Sequence, residues 1–214
     1  MSRLLLVPTG LELGMLLGHD GAGPDGSWRG FSVACSGFGP VDAAWGAMAA
    51  LAATPGCDLC LLCGLAGTYD ALGLPVATVV EGSSFRLHGV GVGREPDLVS
   101  AGTLGASLEL AGPHAVRDLE PATARLGLPG VRPVGMLTVC AASGDLAQAA
   151  ARHRLFPDAS IEEMEAWAVA RAALQHGVPF TCLRAISNVA GDRDHDRWQT
   201  RPALAALRAV LESM

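Results

Sequence analysis

The chain has 214 residues, half of them hydrophobic, and a net charge of −6, with fifteen basic residues that are all arginine. That length and apolar share predict a single domain, residues 1–214, with a sizeable core, and the acidic balance without a basic face argues against a nucleic-acid partner. Leu4 to Val7 is an all-apolar run of the kind that lies inside a parallel sheet. It is too short to span a membrane and no small-residue cleavage site follows it, so a cytoplasmic protein without a membrane partner is expected. The run breaks at Pro8-Thr9-Gly10, with Glu12 in the loop beyond. His19 to Gly30 predicts a glycine-rich loop or hairpin turn, Trp28 to Val33 a strand, and Val41 to Ala53 a helix packed through Trp45, Met48, Ala49 and Ala52. Asp58 to Cys63 predicts the next buried strand. The spacing Cys57-x-x-Cys60-x-x-Cys63 invites a metal, but on a strand Cys60 faces away from the other two, so all three are read as core and no metal is expected.

Pro75 to Glu81 and Ser84 to Val92 predict strands, whereas Arg94 to Arg132, full of glycine, proline and scattered charge, predicts mainly loops. Val134 to Ala141 predicts another buried strand. Ser143-Gly144-Asp145 then opens a helix to about Arg154, capped by Ser143 or Asp145. The stretch from Ser160 to Trp198 carries the most information. Glu162, Glu163 and Glu165 are expected at the mouth of a helix whose apolar positions are Met164, Trp167, Ala168 and Ala172 and which Gly177 and Pro179 close. Phe180 to Leu183 then predicts a buried strand that Arg184 interrupts before Ile186. A guanidinium there is costly unless paired, so an anionic or polar partner is expected. Asn188 falls where the strand spills into a loop, the place where open α/β sheets bind ligands. Pro202 to Ser213 predicts an amphipathic helix with Leu204, Leu207, Val210 and Leu211 buried. Strands alternating with helices indicate an α/β fold with a mixed, largely parallel sheet.

Glu163-Met164-Glu165 followed by small residues resembles the EMExxA signature of the purine nucleoside phosphorylases and nucleosidases. Arg184-Ala-Ile-Ser-Asn188 resembles the RxIS(D/N) signature that follows it in the same superfamily, and Gly64-Leu-Ala66-Gly67 resembles its GxAG turn. Asparagine after the serine, with Gly191-Asp-Arg-Asp and Trp198 beyond, is most similar to the futalosine hydrolases, a nucleosidase family of menaquinone biosynthesis. The resemblance implies a single-domain three-layer α/β/α phosphorylase/hydrolase-like fold and a homodimer acting on a small-molecule nucleoside without a cofactor. The implied reaction cleaves the N-ribosidic bond of futalosine to dehypoxanthine futalosine and hypoxanthine. It assigns Glu12 to water activation, Glu165 to the ribose hydroxyls, Met164 to the apolar face of the sugar and Arg184 to orienting the water or Glu12. Glu163, Ala66 and Gly67 complete the implied substrate site. The superfamily's purine-stacking phenylalanine after Ser-Gly-Asp is replaced here by Ala147.

Asn188 bears on the leaving base. Its NH₂ can donate to a 6-oxo oxygen while its C=O accepts from a protonated ring nitrogen, a pattern that suits hypoxanthine better than adenine. Phosphorolysis would need an anion site, yet no arginine lies between Arg3 and Arg29 and Glu12 would repel phosphate, so water is the expected nucleophile. In the closing loop, Asp194, His195 and Asp196 are too close in sequence to converge on a metal. Arg193 and Arg197 are instead candidates for the carboxylate of the substrate's benzoate tail. The alternatives are a methylthioadenosine/S-adenosylhomocysteine nucleosidase, a 6-oxopurine nucleoside phosphorylase and a non-catalytic nucleoside-binding protein.

Overall fold

Two apolar faces of one sheet organise the chain. The computed structural model describes residues 2–18, 26–95, 97–100, 103–104 and 119–214. Its elements run β1 (Ser2–Val7), α1 (Gly10–Leu17), β2 (Ser27–Trp28), β3 (Phe31–Cys35), α2 (Gly39–Ala52), β4 (Cys57–Thr68) and β5 (Val79–Leu87). There follow β6 (Gly91–Val92), β7 (Val99–Ser100), β8 (Leu119–Pro121), β9 (Arg132–Thr138), α3 (Leu146–Leu155), β10 (Ala159–Glu163), α4 (Ala166–Gln175), β11 (Phe180–Val189) and α5 (Thr200–Glu212). Part of the expected loop from His19 to Gly30, and much of Arg94 to Arg132, lie outside the described residues.

Alternation along β1 sorts the core. Leu4 and Leu6 point into a cluster with Ala43, Ala47 and Leu51 of α2 and the alanine-rich face of α4. Leu5 and Val7 point the other way, onto Leu16 and Leu17 of α1 and Leu204, Leu207 and Leu211 of α5. A strand buried on both faces reads as an unbroken apolar run, which is why Leu4 to Val7 shows no polar alternation. Helices therefore cover both faces, as a three-layer α/β/α fold requires.

Among the described residues, nine strands join one sheet, and its middle closes on itself. β4 pairs with β11 in parallel, β11 with β5 antiparallel, β5 with β9 and β9 with β10 in parallel. β10 then returns to β4 through Ile161 opposite Thr68 and Glu162 opposite Gly67. Register shifts at Gly82/Ser84 and at Ile186/Asn188 supply the extra twist that such closure needs. The second shift makes Ser187 a bulged residue and re-aims Asn188 beside it.

Several local expectations change. Ser160 to Glu163 belongs to strand β10, held by pairing to both β9 and β4, and the helix begins only at Ala166. The presumed turn Gly64 to Gly67 is part of β4, which runs unbroken to Thr68. Pro75 to Thr78 is not strand, and Ser84 continues β5 across the bulge. On α2 the buried face is Ala43, Ala47 and Leu51, while Trp45 stands 80% exposed and Val41 81%. Cys60 and Cys63 do face opposite ways, into the two clusters, but a shift in register after Cys57 turns that residue to the Cys60 side.

Candidate active site

The parallel strands β1, β4 and β11 open their carboxyl ends on one edge, and β10 meets the end of β4 there. A cavity of about 490 Å³ lies at this edge. Glu12, Ala66, Gly67, Glu163, Met164, Glu165, Arg184, Asn188 and Arg193 line it. Arg197 does not: it is 72% exposed and pairs with Asp194 (3.1 Å) and Asp192 (3.7 Å) within its own loop.

Arg184 has the anionic partners that its burial demands. Its side chain is 1% exposed, and Nη2 donates to Glu163 Oε2 at 2.5 Å and to Glu165 Oε2 at 3.1 Å, while Nη1 donates to the Leu65 carbonyl at 3.3 Å. Burial alone would pull its pKa down; its neighbours, the carboxylates of Glu163, Glu165 and Glu12 among them, push it above the ordinary value. Glu163 is the anchor. Oε1 accepts from the Thr138 hydroxyl, and Oε2 also accepts from the peptide nitrogens of Glu165 (2.8 Å) and Ala166 (2.7 Å). It therefore satisfies N–H groups at the start of α4 that the helix itself leaves without partners, from the strand that precedes the helix. With both oxygens engaged by protein donors, Glu163 faces the cavity as a support for Arg184 and the helix.

Glu165 is differently placed. Oε1 accepts from the Gly39 nitrogen at 3.0 Å, at the amino end of α2, and Oε2 accepts, among the described residues, from Arg184 alone. Burial comes first among the causes that push its pKa up to about 7, with Glu163 adding to it against Arg184 and the Gly39 N–H.

Glu12 sits in the first turn of α1 rather than in a loop. Thr9 caps that helix: its hydroxyl oxygen accepts from the Glu12 nitrogen at 3.1 Å and its hydroxyl donates to Glu12 Oε2 at 2.9 Å. Glu12 Oε1 accepts from the Leu65 nitrogen at 3.3 Å. Gly64 explains how this carboxylate and Arg184 share one strand. A Cβ there would collide with Arg184 Nη1 and lie 3.2 Å from Glu12 Oε1.

Asn188 is oriented by its neighbours. Nδ2 donates to the Val189 carbonyl at 2.9 Å and Oδ1 accepts from the Ser187 hydroxyl at 2.8 Å. Among the described residues, these contacts leave one amide N–H and one oxygen lone pair for a ligand. Arg193 lies over Trp198 (5.0 Å from Cζ to the ring centroid), and the His195 ring is tilted against the same indole with centroids 4.4 Å apart.

The cavity also has walls to which the sequence motifs assign no role: Thr9, Leu11 and Met15 from α1 and its cap, Phe38 from the cap of α2, and His195 and Trp198 from the closing loop. The spacing Thr9-x-x-Glu12 is a capping-box pattern and would have placed Glu12 on a helix. Ala147 is exposed and outside the lining, and Phe156 packs with Leu137, Val139 and Ala159 instead. Among the described residues, the aromatic rings that reach the cavity are those of Phe38, Trp198 and His195.

Residues 29–214 match the family model described as the phosphorylase superfamily. A futalosine hydrolase of Thermus thermophilus is 36% identical, the match covering 97% of this chain and 92% of that protein. A futalosine hydrolase of Streptomyces coelicolor is 35% identical over 70% of this chain, and the match spans 62% of that longer protein. Among solved structures, the native futalosine hydrolase of Helicobacter pylori superposes with a TM-score of 0.68 at 18% identity, over 100% of this chain and 98% of that one. The chain belongs to the phosphorylase superfamily and, within it, to the futalosine hydrolase family.

Proposed function

We propose that this protein hydrolyses the N-ribosidic bond of futalosine, releasing hypoxanthine and dehypoxanthine futalosine, as a step of menaquinone biosynthesis. The observation that carries the reading is the pairing, across one cavity, of Glu12 with the buried Arg184–Glu163–Glu165 cluster, with Asn188 at the same edge. Breaking the bond develops positive charge on the ribose and negative charge on the base. Glu12 takes a proton from water, and Glu165 accepts from ribose hydroxyls, contacts that strengthen as the sugar becomes cationic. Met164 covers the sugar's apolar side. The free N–H of Asn188 meets the 6-oxo oxygen of hypoxanthine and its lone pair meets a protonated ring nitrogen.

Ala66 and Gly67 bring β4 close to the substrate, and Arg193, which lines the cavity, receives the carboxylate of the tail. Arg197, outside the lining, has no part in this. Arg184 is already engaged by two carboxylates and Glu12 repels anions, which favours water over phosphate as nucleophile. The setting is cytoplasmic and the working form a homodimer. For the latter, exposed Val41 and Trp45 on α2, close in sequence to Phe38 at the cavity, offer an apolar surface to a second copy.

The test is base release from futalosine, inosine and methylthioadenosine, each without and with phosphate. Hypoxanthine from futalosine in phosphate-free buffer is the expected result. Adenine from methylthioadenosine, or cleavage that requires phosphate, would overturn it.

A further inference from the structure

Glu162 precedes Glu163 on β10 and takes no part in the Arg184 cluster. Alternation along the strand turns it elsewhere, where it is 5% exposed yet still lines the cavity. Its Oε1 accepts from the Ser143 nitrogen at 2.9 Å, and its Oε2 from the hydroxyls of Ser143 at 2.6 Å and Tyr69 at 2.9 Å. Arg152 Nη1 lies 3.6 Å from the same oxygen and donates to the Ala141 carbonyl at 2.8 Å and to Ser143 Oγ at 3.1 Å. A second carboxylate, Glu95, takes the Nε of Arg152 at 2.9 Å and lies 2.8 Å from His88 Nε2. Ser143 is thus fully buried and held through both its peptide and its hydroxyl.

The segment so fastened links β9 to α3 and contributes Val139 and Ala142 to the cavity. Its far end abuts the end of β11: Gly191 has φ +84°, and a Cβ there would collide with the Asp145 carbonyl. On its near side, Glu162 pairs with Gly67, whose Cβ position lies 3.4 Å from Asn188 Nδ2. The 139–145 segment therefore forms a cavity wall that abuts the Asn188 end of β11.

We propose that Glu162 is a positioning residue for the base half of the site: it fixes the 139–145 wall against which Asn188 holds the purine. The inference rests on the nucleosidase reading above. A carboxylate suits the place because every group that reaches it in this arrangement donates. Glutamine keeps the shape but turns an NH₂ toward a donor.

The experiment compares wild type with Glu162→Gln in the full chain. Losing one charge-assisted contact predicts about tenfold weaker binding of hypoxanthine by calorimetry and about a tenfold higher KM for futalosine, with kcat within about twofold. Affinity for dehypoxanthine futalosine stays at the wild-type value, and amide exchange accelerates across 139–145 alone. Ser143→Ala gives a smaller loss that does not add to that of Glu162→Gln; it is also the substitute should Glu162→Gln fail to fold. Unchanged hypoxanthine affinity, or equal loss for both products, overturns the proposal. Should the wild type cleave no nucleoside, the functional reading falls separately, and unchanged exchange across 139–145 would still overturn the role of Glu162.

Discussion

Arg184 and Arg197 each meet two carboxylates near the end of β11, at similar distances and with different consequences. The nearest contacts are 2.5 and 3.1 Å for Arg184, and 3.1 and 3.7 Å for Arg197. The Arg184 side chain and its partners are 1%, 0% and 4% exposed, whereas Arg197, Asp192 and Asp194 are 72%, 24% and 47% exposed. Water screens the outer cluster and competes for every hydrogen bond in it, so its net worth is small. The inner cluster is shielded from bulk solvent. Its two carboxylates outnumber one guanidinium, and the difference is met by peptide N–H groups at the starts of α4 and α2. Burial, more than distance, separates the two clusters.

The comparison breaks most visibly at Arg184. Arg184→Met leaves Glu163 and Glu165 buried without a counter-charge, which costs about 3–5 kcal/mol. The midpoint of urea unfolding should fall accordingly, and an unchanged midpoint would mean that the inner cluster is no more than a buried copy of the outer one. Glu12→Gln asks the complementary question, because it removes a base and keeps the packing. Its amide oxygen can still accept from Thr9 or Leu65, so stability should hold while kcat for base release drops about 10²–10⁴-fold, the usual worth of a general base. Retained turnover would remove Glu12 from the mechanism.

Glu165 sharpens the contrast through pH. Its pKa of about 7 in the folded chain lies above the ordinary carboxylate value of 4.5, so the folded state binds that proton more tightly than the unfolded one. The stability gained is full below the ordinary range and is lost as pH rises through about 7. In the proposed mechanism activity runs the other way, since there the ionised carboxylate accepts from the ribose hydroxyls. We expect kcat/KM to rise with pH through about 7, and Glu165→Gln to abolish that limb of the profile. A limb that persists in Glu165→Gln belongs to another group.

Much of this was legible. The all-apolar runs at Leu4 and Phe180 became buried strands, and the requirement that Arg184 be paired was met by two glutamates that the motif contains. The errors share a cause, which is pairing to distant strands. Ser160 to Glu163 carries a helix-mouth pattern, yet contacts to β9 and β4 make it a strand, and Glu163 reaches the helix N–H groups from outside. Gly64 to Gly67 looks like a turn, but its glycine provides clearance for Arg184 and Glu12, a need created by chain 119 residues away from Leu65. Periodicity places Trp45 in the core, yet it is exposed, because periodicity identifies an apolar face without saying which partner covers it. Arg193 and Arg197 could not be separated without the fold, since they differ only in which way one loop turns them.

That pair gives the finest test. Arg193 lines the cavity with its guanidinium over Trp198, so its charge is presented to a ligand in a partly apolar setting where a carboxylate gains most. Arg193→Ala should raise KM for futalosine about tenfold, the worth of one charge-assisted contact, and leave inosine, which has no carboxylate, unaffected. Arg197→Ala removes two screened pairs from an exposed loop and should shift stability by no more than about 1 kcal/mol and KM by less than about twofold. Steady-state kinetics on both nucleosides decide it. If the Arg197 variant alone lost affinity for futalosine, the loop would have to turn outside in when substrate binds, and a place in the cavity lining of the free protein would no longer distinguish the two arginines, both of which are exposed.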